Sequence, residues 1–197
     1  MNQLVIASGN PGKLGEFRRM LAPLGIEVLT QAQLGISEAG EPHCTFVENA
    51  LAKARHVSAA AGLPALADDS GICVEALGGA PGVISARYAG ETPKSDARNN
   101  ERLLCEMQGV ADRRAHYYCV LVLVRRPDDP QPLIAEGEWH GEIGHEERGS
   151  GGFGYDPLFW LPHFGKTAAE LSHDEKAQVS HRAQAMQILL QRLKAGS

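Results

Sequence analysis

The longest apolar run in the 197 residues, Cys119 to Val124, is far too short for the ~20 residues of a membrane-spanning helix. A membrane partner is therefore not expected. Cysteine is scarce: Cys44, Cys73, Cys105 and Cys119 have no C-x-x-C spacing, and the eight histidines form no H-E-x-x-H pattern. That argues against a zinc site or a disulfide framework and for thiols kept reduced. There is no surplus of basic charge, the formal net charge being −5, so the surface is not one that coats nucleic acid. No internal repeat, low-complexity tract or linker interrupts the chain. A strand-like run, Leu4 to Ala7, follows the first residues without a basic leader region, and the cytoplasm is the expected address. Length and composition suit one globular domain spanning residues 1–197.

What is present is a series of junctions with unusual side chains. Leu4–Ala7 runs into Ser8-Gly9-Asn10-Pro11-Gly12-Lys13. Asn10 is a good N-cap and Pro11 suits the first helical position, with Leu14, Phe17, Met20 and Leu21 on one face. Such a strand–turn–helix aims backbone N–H groups and a positive dipole end at an anion. Lys13 in that first turn opposes the dipole, so it is ill placed for stability and well placed for a phosphate. The loop is not a Walker A sequence, because Leu14 replaces the hydroxyl residue and Ala7 the first glycine.

Ile26–Thr30 reads as a strand, and residues 31–44 as a polar loop carrying Glu38 and Glu41. Thr45 and Glu48 form a capping-box pattern for a helix that ends at Gly62 and carries Lys53. Asp68-Asp69-Ser70-Gly71 reads as a turn between two short buried strands. Adjacent carboxylates there are costly unless a divalent cation or a basic group offsets them. A helix is expected over about 95–107, a central strand over 114–126, and one or two strands over 133–146. Gly149 to Pro157, with four glycines in six positions plus Phe153, Tyr155 and Asp156, reads as a binding loop that lets backbone approach a ligand. Thr167/Glu170 and Ser172/Glu175 fit capping boxes, and Ser180 could cap a last helix whose first turn holds His181 and Arg182.

These blocks occur in a recognisable order: Ser8-Gly9-Asn10-x-x-Lys13, Phe46-x-Glu48-Asn49-Ala50-x-x-Lys53-Ala54, Asp68-Asp69-Ser70-Gly71, Gly78-Gly79-Ala80-Pro81-Gly82-x-x-Ser85-Ala86-Arg87, Gly151 to Pro157, Lys166-Thr167-x-Ala169-Glu170 and Ser180-His181-Arg182. Together they resemble the inosine/xanthosine triphosphate pyrophosphatases over residues 4 to about 194. The resemblance implies an α/β fold, a twisted mixed sheet flanked by helices in two lobes around a central substrate cleft. It also implies a homodimer and Mg²⁺-dependent hydrolysis of ITP, dITP or XTP to monophosphate and pyrophosphate.

On that reading Ser8, Gly9, Asn10, Pro11, Gly12 and Lys13 cradle the phosphates, with help from Lys53 or Lys176. Glu41 and Asp69 hold the metal. Asp69, supported by Asp68 and followed by Ser70 in the site, is the first choice for the base that activates water. Phe153, Gly154, Tyr155, Asp156, His181 and Arg182 read the purine. Two rivals stay open: a related pyrophosphatase acting on modified pyrimidine or methylated nucleotides, and a nucleotide-sensing module without catalysis.

Overall fold

The computed structural model describes residues 2–90 and 94–195. Among these residues seven strands form one mixed sheet in the order β2-β1-β3-β4-β5-β6-β7. They are β1 (Gln3–Ala7), β2 (Glu27–Thr30), β3 (Ala65–Val74), β4 (Arg114–Val124), β5 (Leu133–Ile143), β6 (Phe159–Leu161) and β7 (Lys166–Thr167). Among the described residues five helices accompany them: α1 (Pro11–Leu21), α2 (Phe46–Ala61), α3 (Asp96–Glu106), α4 (His173–Val179) and α5 (His181–Ala195). β1 lies parallel to both β2 and β3, whereas β6 runs antiparallel to β5 and β7. Among the described residues no helix is long and apolar enough to cross a membrane.

The chain divides into two compact units. Unit 1 comprises Met1–Asp69, Cys119–Glu136 and Gln184–Ser197; unit 2 comprises Ser70–Tyr118 and Gly137–Ala183. Each has its own apolar core. In unit 1, Leu4, Ile6 and Leu66 of the parallel strands meet Phe17 and Leu21 of α1 and Met186 and Leu189 of α5. In unit 2, Ile72, Leu103, Tyr117, Trp139, Tyr155 and Phe159 are among the residues packed together.

Local chemistry accounts for most boundaries. The Asn10 side chain accepts from the N–H groups of Gly12 and Lys13, so α1 starts at Pro11. Thr45 caps α2 by accepting from Glu48 N–H, and Gly62 ends it at φ 65°, a left-handed conformation that costs glycine little. Ser95 and Ser172 cap α3 and α4 in the same way. The Thr167/Glu170 box closes a single 3₁₀ turn, not the helix its pattern suggests.

The larger correction concerns Asp68-Asp69-Ser70-Gly71. No turn occurs there; β3 continues through all four residues for a total of ten. Extended backbone alternates its side chains, so Asp68 and Asp69 point to opposite faces. Each finds its own counter-ion there, and the strand need not break to spare them.

Candidate functional site

Unit 1 gathers three carboxylates and two lysines. α1 presents Lys13 from its first turn, and the ammonium pairs with Asp68 Oδ1; the Asp68 side chain is fully buried. Cys119 of β4 donates its thiol to Asp68 Oδ2 at 3.2 Å. Lys13, expected from sequence to be a poor stabiliser, is thus the counter-ion of a buried acid. That role outweighs the few tenths of a kcal/mol it loses against the helix dipole.

On the other face of β3, the ammonium of Lys53 donates to Asp69 Oδ1 and to Glu41 Oε1, both at 2.7 Å. Glu41 reaches it from the irregular 31–44 segment, which α2 holds in place. The buried Asn49 side chain takes both backbone groups of His43, accepting from its N–H at 3.0 Å and donating to its C=O at 3.2 Å. Burial pushes Asp69 up to about 6 despite Lys53, with Glu41 adding to the rise. Burial alone would lower Lys53, but the Asp69 charge, then Glu41, raise its pKa on balance and keep the ammonium charged.

The second carboxylate oxygen of Asp69, Oδ2, is buried and has no hydrogen-bond partner among the described residues. A lone pair in that condition calls for a proton or a cation. Glu41 and Asp69 offer the hard oxygens that Mg²⁺ prefers, and the ion ordinarily takes one or two carboxylates plus phosphate and water. No cluster of three or more His, Cys, Asp or Glu forms a metal cage among the described residues. Glu41 and Asp69 therefore fit a divalent cation that takes its remaining ligands from outside the protein. In the Ser8–Lys13 loop, Ser8 Oγ accepts from Asn10 N–H at 3.2 Å. A Cβ on Gly9 would fall 2.1 Å from a Glu38 carboxylate oxygen, so the acidic 31–44 segment closes on this loop.

Unit 2 assembles a different group. The Asp156 carboxylate is buried and accepts from Phe153 N–H at 2.9 Å, from the Tyr117 hydroxyl at 3.3 Å and from the ammonium of Lys176. Lys176 lies 5.0 Å and the Arg182 guanidinium 6.0 Å from the Phe153 ring centre. His181 stacks on Tyr117 at 4.7 Å with rings 8° apart, and Trp139 stands beyond at 6.4 Å. Burial, then the Asp156 charge, raises the Tyr117 phenol well above its ordinary value, so it stays a donor. Arg182, 2% exposed, donates to the hydroxyl of Ser70 at 3.0 Å.

Sequence-selected residues thus fall into two sets. Ser8 to Lys13, Glu41, Lys53 and Asp69 belong to unit 1; Ser70, Phe153 to Asp156, Lys176, His181 and Arg182 belong to unit 2. Within unit 2 the structure separates Tyr155 from Phe153. Tyr155 is buried in the core and donates its hydroxyl to Ser85 C=O at 2.7 Å, whereas Phe153 is half-buried. The glycine run also has an internal cause. A Cβ on Gly149 or Gly151 would strike the Ala169 backbone at 2.7–2.8 Å, and one on Gly152 would strike the Asp156 carboxylate at 2.0 Å. Sequence reasoning passed over Tyr117 and Trp139, which alternate with core residues on long strands and carry no local mark of a site. It also passed over the Asn49 clamp, although a buried amide next to a capping box is a signal of one.

Similarity to known proteins extends along nearly the whole chain. Residues 4–192 match the Ham1 family. A dITP/XTP pyrophosphatase of Ralstonia nicotianae is 67% identical over 196 residues, 98% of each chain. One from Nitrosomonas europaea is 66% identical over 98% of this chain and 95% of its own. Among solved structures, a HAM1 protein from Coxiella burnetii superposes with a TM-score of 0.93 at 45% identity, covering 99% of this chain and 100% of that one. The Staphylococcus aureus Ham1 protein gives 0.88 at 38% identity with the same coverage. This chain belongs to the Ham1 family.

Proposed function

We propose that the protein hydrolyses non-standard purine nucleoside triphosphates, dITP, XTP and ITP, to the monophosphate and pyrophosphate with Mg²⁺. The carrying observation is Asp69: one oxygen held by Lys53, the other buried and unpartnered, and a pKa of about 6. A base poised near neutrality is what water activation requires. The names of relatives about two-thirds identical to it supply the substrate class.

In this mechanism Asp69 Oδ2 takes the proton of a water whose oxygen bonds to the α-phosphorus. The bond to the bridging oxygen breaks and pyrophosphate leaves. Glu41 and Asp69 would hold Mg²⁺, which would supply neutralisation of the phosphate charge. Lys53 steadies both carboxylates, and the N–H groups at the start of α1 favour the phosphate anions. Phe153 offers a ring to stack the base, while His181 and Arg182 supply donors for the 6-oxo group that hypoxanthine and xanthine carry and adenine lacks. Asp156 and Lys176, paired with each other, fix that loop. Guanine shares the 6-oxo group, so its exclusion rests on its 2-amino group.

A cytoplasmic homodimer acting as a cleanser of the nucleotide pool completes the reading, and sedimentation tests the dimer. For the reaction, the test is product analysis with XTP, ITP, ATP and a methylated pyrimidine triphosphate in the presence of Mg²⁺. Pyrophosphate from the first two, far faster than from the others, is the expected result. Inorganic phosphate as product, or binding without turnover, would overturn it.

A further inference from the structure

Gly154 stands between the ring of Phe153 and the buried Tyr155, at φ 64°. Both of its backbone groups are taken by a single helix. Asp96 Oδ2 accepts from Gly154 N–H at 2.7 Å, and Asn100 Nδ2 donates to Gly154 C=O at 3.2 Å. The two residues are four apart on α3 and therefore share one face of it. Helix and loop are 58 and 54 residues apart in sequence, so this is a built tertiary clamp and not turn chemistry.

α3 is itself anchored. Asn99 Oδ1 accepts from Ala89 N–H at 2.8 Å, and Arg102 donates to the C=O of Tyr88. The 3₁₀ segment Gly82–Arg87, which runs directly into Tyr88 and Ala89, presents the Ser85 carbonyl that accepts the Tyr155 hydroxyl. Consecutive residues of the glycine-rich loop are thus tied to two elements that are tied to each other. The frame is closed, and Phe153 projects from it.

We propose that Asp96 and Asn100 are specificity-determining positioning residues, which fix Phe153 and Asp156 at the place where a purine is read by holding both backbone groups of Gly154. This rests on the base-reading role proposed above. Neither residue touches the base; they act through the loop. Without the clamp, Gly154, with Gly152 only two residues before it, has wide conformational freedom, and the ring of Phe153 between them loses its fixed position.

Asp96 is exposed, so its substitution leaves the core intact. Asp96→Ala removes the acceptor, whereas Asp96→Asn keeps an oxygen in place and drops only the charge. Both lose the same first-turn helix stabilisation. The kcat/KM ratio of ITP to ATP is measured for wild type and both variants, together with hydrogen exchange at the Gly154 amide. In Asp96→Ala the ratio narrows about five- to tenfold, mainly through a higher KM for ITP, as expected for one lost hydrogen bond of ordinary strength. Its kcat on ITP stays within about twofold, and the Gly154 amide exchanges faster. Asp96→Asn restores the ratio to within about twofold of wild type.

The inference is overturned if the ratio is unmoved in Asp96→Ala, or if both variants behave alike, since that would mean a helix-charge effect only. Faster exchange without a narrowed ratio also overturns it. A wild-type enzyme that shows no preference for ITP over ATP would instead defeat the base-reading function, and the clamp's role with it.

Discussion

Both polar groups pair buried aspartates with lysines, but the surroundings of the pairs differ. In unit 1 each carboxylate meets an ammonium on a flexible stem, and the group stays partly open, with Glu41 29% and Lys53 12% exposed in their side chains. In unit 2 the Asp156–Lys176 pair is enclosed, and its neighbours are rings held by stacking. On the proposed function, a long aliphatic stem can reposition when a triphosphate and a metal arrive with their own charges. Stacked rings cannot, and that rigidity is what discrimination between two bases requires, because a mispaired donor must not be able to turn away. On the proposed function, chemistry falls to unit 1 and selection to unit 2.

The sharpest way to break it is Asp69→Asn. Losing the proton acceptor should lower kcat on ITP by on the order of 10³-fold, with nucleotide still bound through the α1 loop. Turnover of that variant within tenfold of wild type would take Asp69 out of the mechanism.

Lys13→Ala probes whether the flexible lysines also hold the fold. It leaves a fully buried Asp68 without its ammonium, a loss of about 3–5 kcal/mol in pairs of this kind. Urea unfolding should register it, and adding Asp68→Asn should recover much of the loss. An unchanged midpoint for Lys13→Ala would make the pair decorative.

His181→Phe keeps a flat ring stacked on Tyr117 and removes the imidazole donors. The ITP-to-ATP ratio of kcat/KM should narrow by about tenfold to a hundredfold, with little change in melting temperature. A loss of stability with the ratio intact would make His181 a packing residue.

The smallest effect concerns pH. Asp69 is raised in the folded state from 3.8 to about 6, mainly by burial. The folded protein therefore holds that proton more tightly than the unfolded chain does, and stability falls as pH rises from about 4 to about 6. Asp69→Asn lacks this dependence. Its melting temperature relative to wild type should climb across that interval and level off above it. A difference that is flat with pH would mean Asp69 ionises as it does in the unfolded chain.

How far the sequence speaks for itself differs between the same two regions. Asn10, Thr45 and Gly62 mark helix ends because capping is chemistry between residues a few positions apart. Asp68-Asp69-Ser70-Gly71 misleads for the complementary reason. Its composition is that of a turn, but the ions that allow it to stay extended come from Lys13, 55 residues earlier, and Lys53, 16 earlier. The glycines at 149–152 mark a close approach, as glycine runs do, although the partners are Ala169 and Asp156 of the same unit. β6 and β7, three and two residues long, are too short to show a period. The family resemblance selected the site residues. What it left unread were the supports, Asn49, Tyr117 and the Asp96–Asn100 pair, whose roles exist only once distant segments have met.

The division of labour is tested most directly by measuring kcat/KM for ITP and ATP on wild type, Asp69→Asn and His181→Phe in one series. Asp69→Asn should depress both substrates by a common factor and leave their ratio as it was. His181→Phe should compress the ratio while sparing kcat on ITP. If Asp69→Asn alters the ratio and His181→Phe does not, selection belongs to the carboxylate–lysine group and the assignment of roles is reversed.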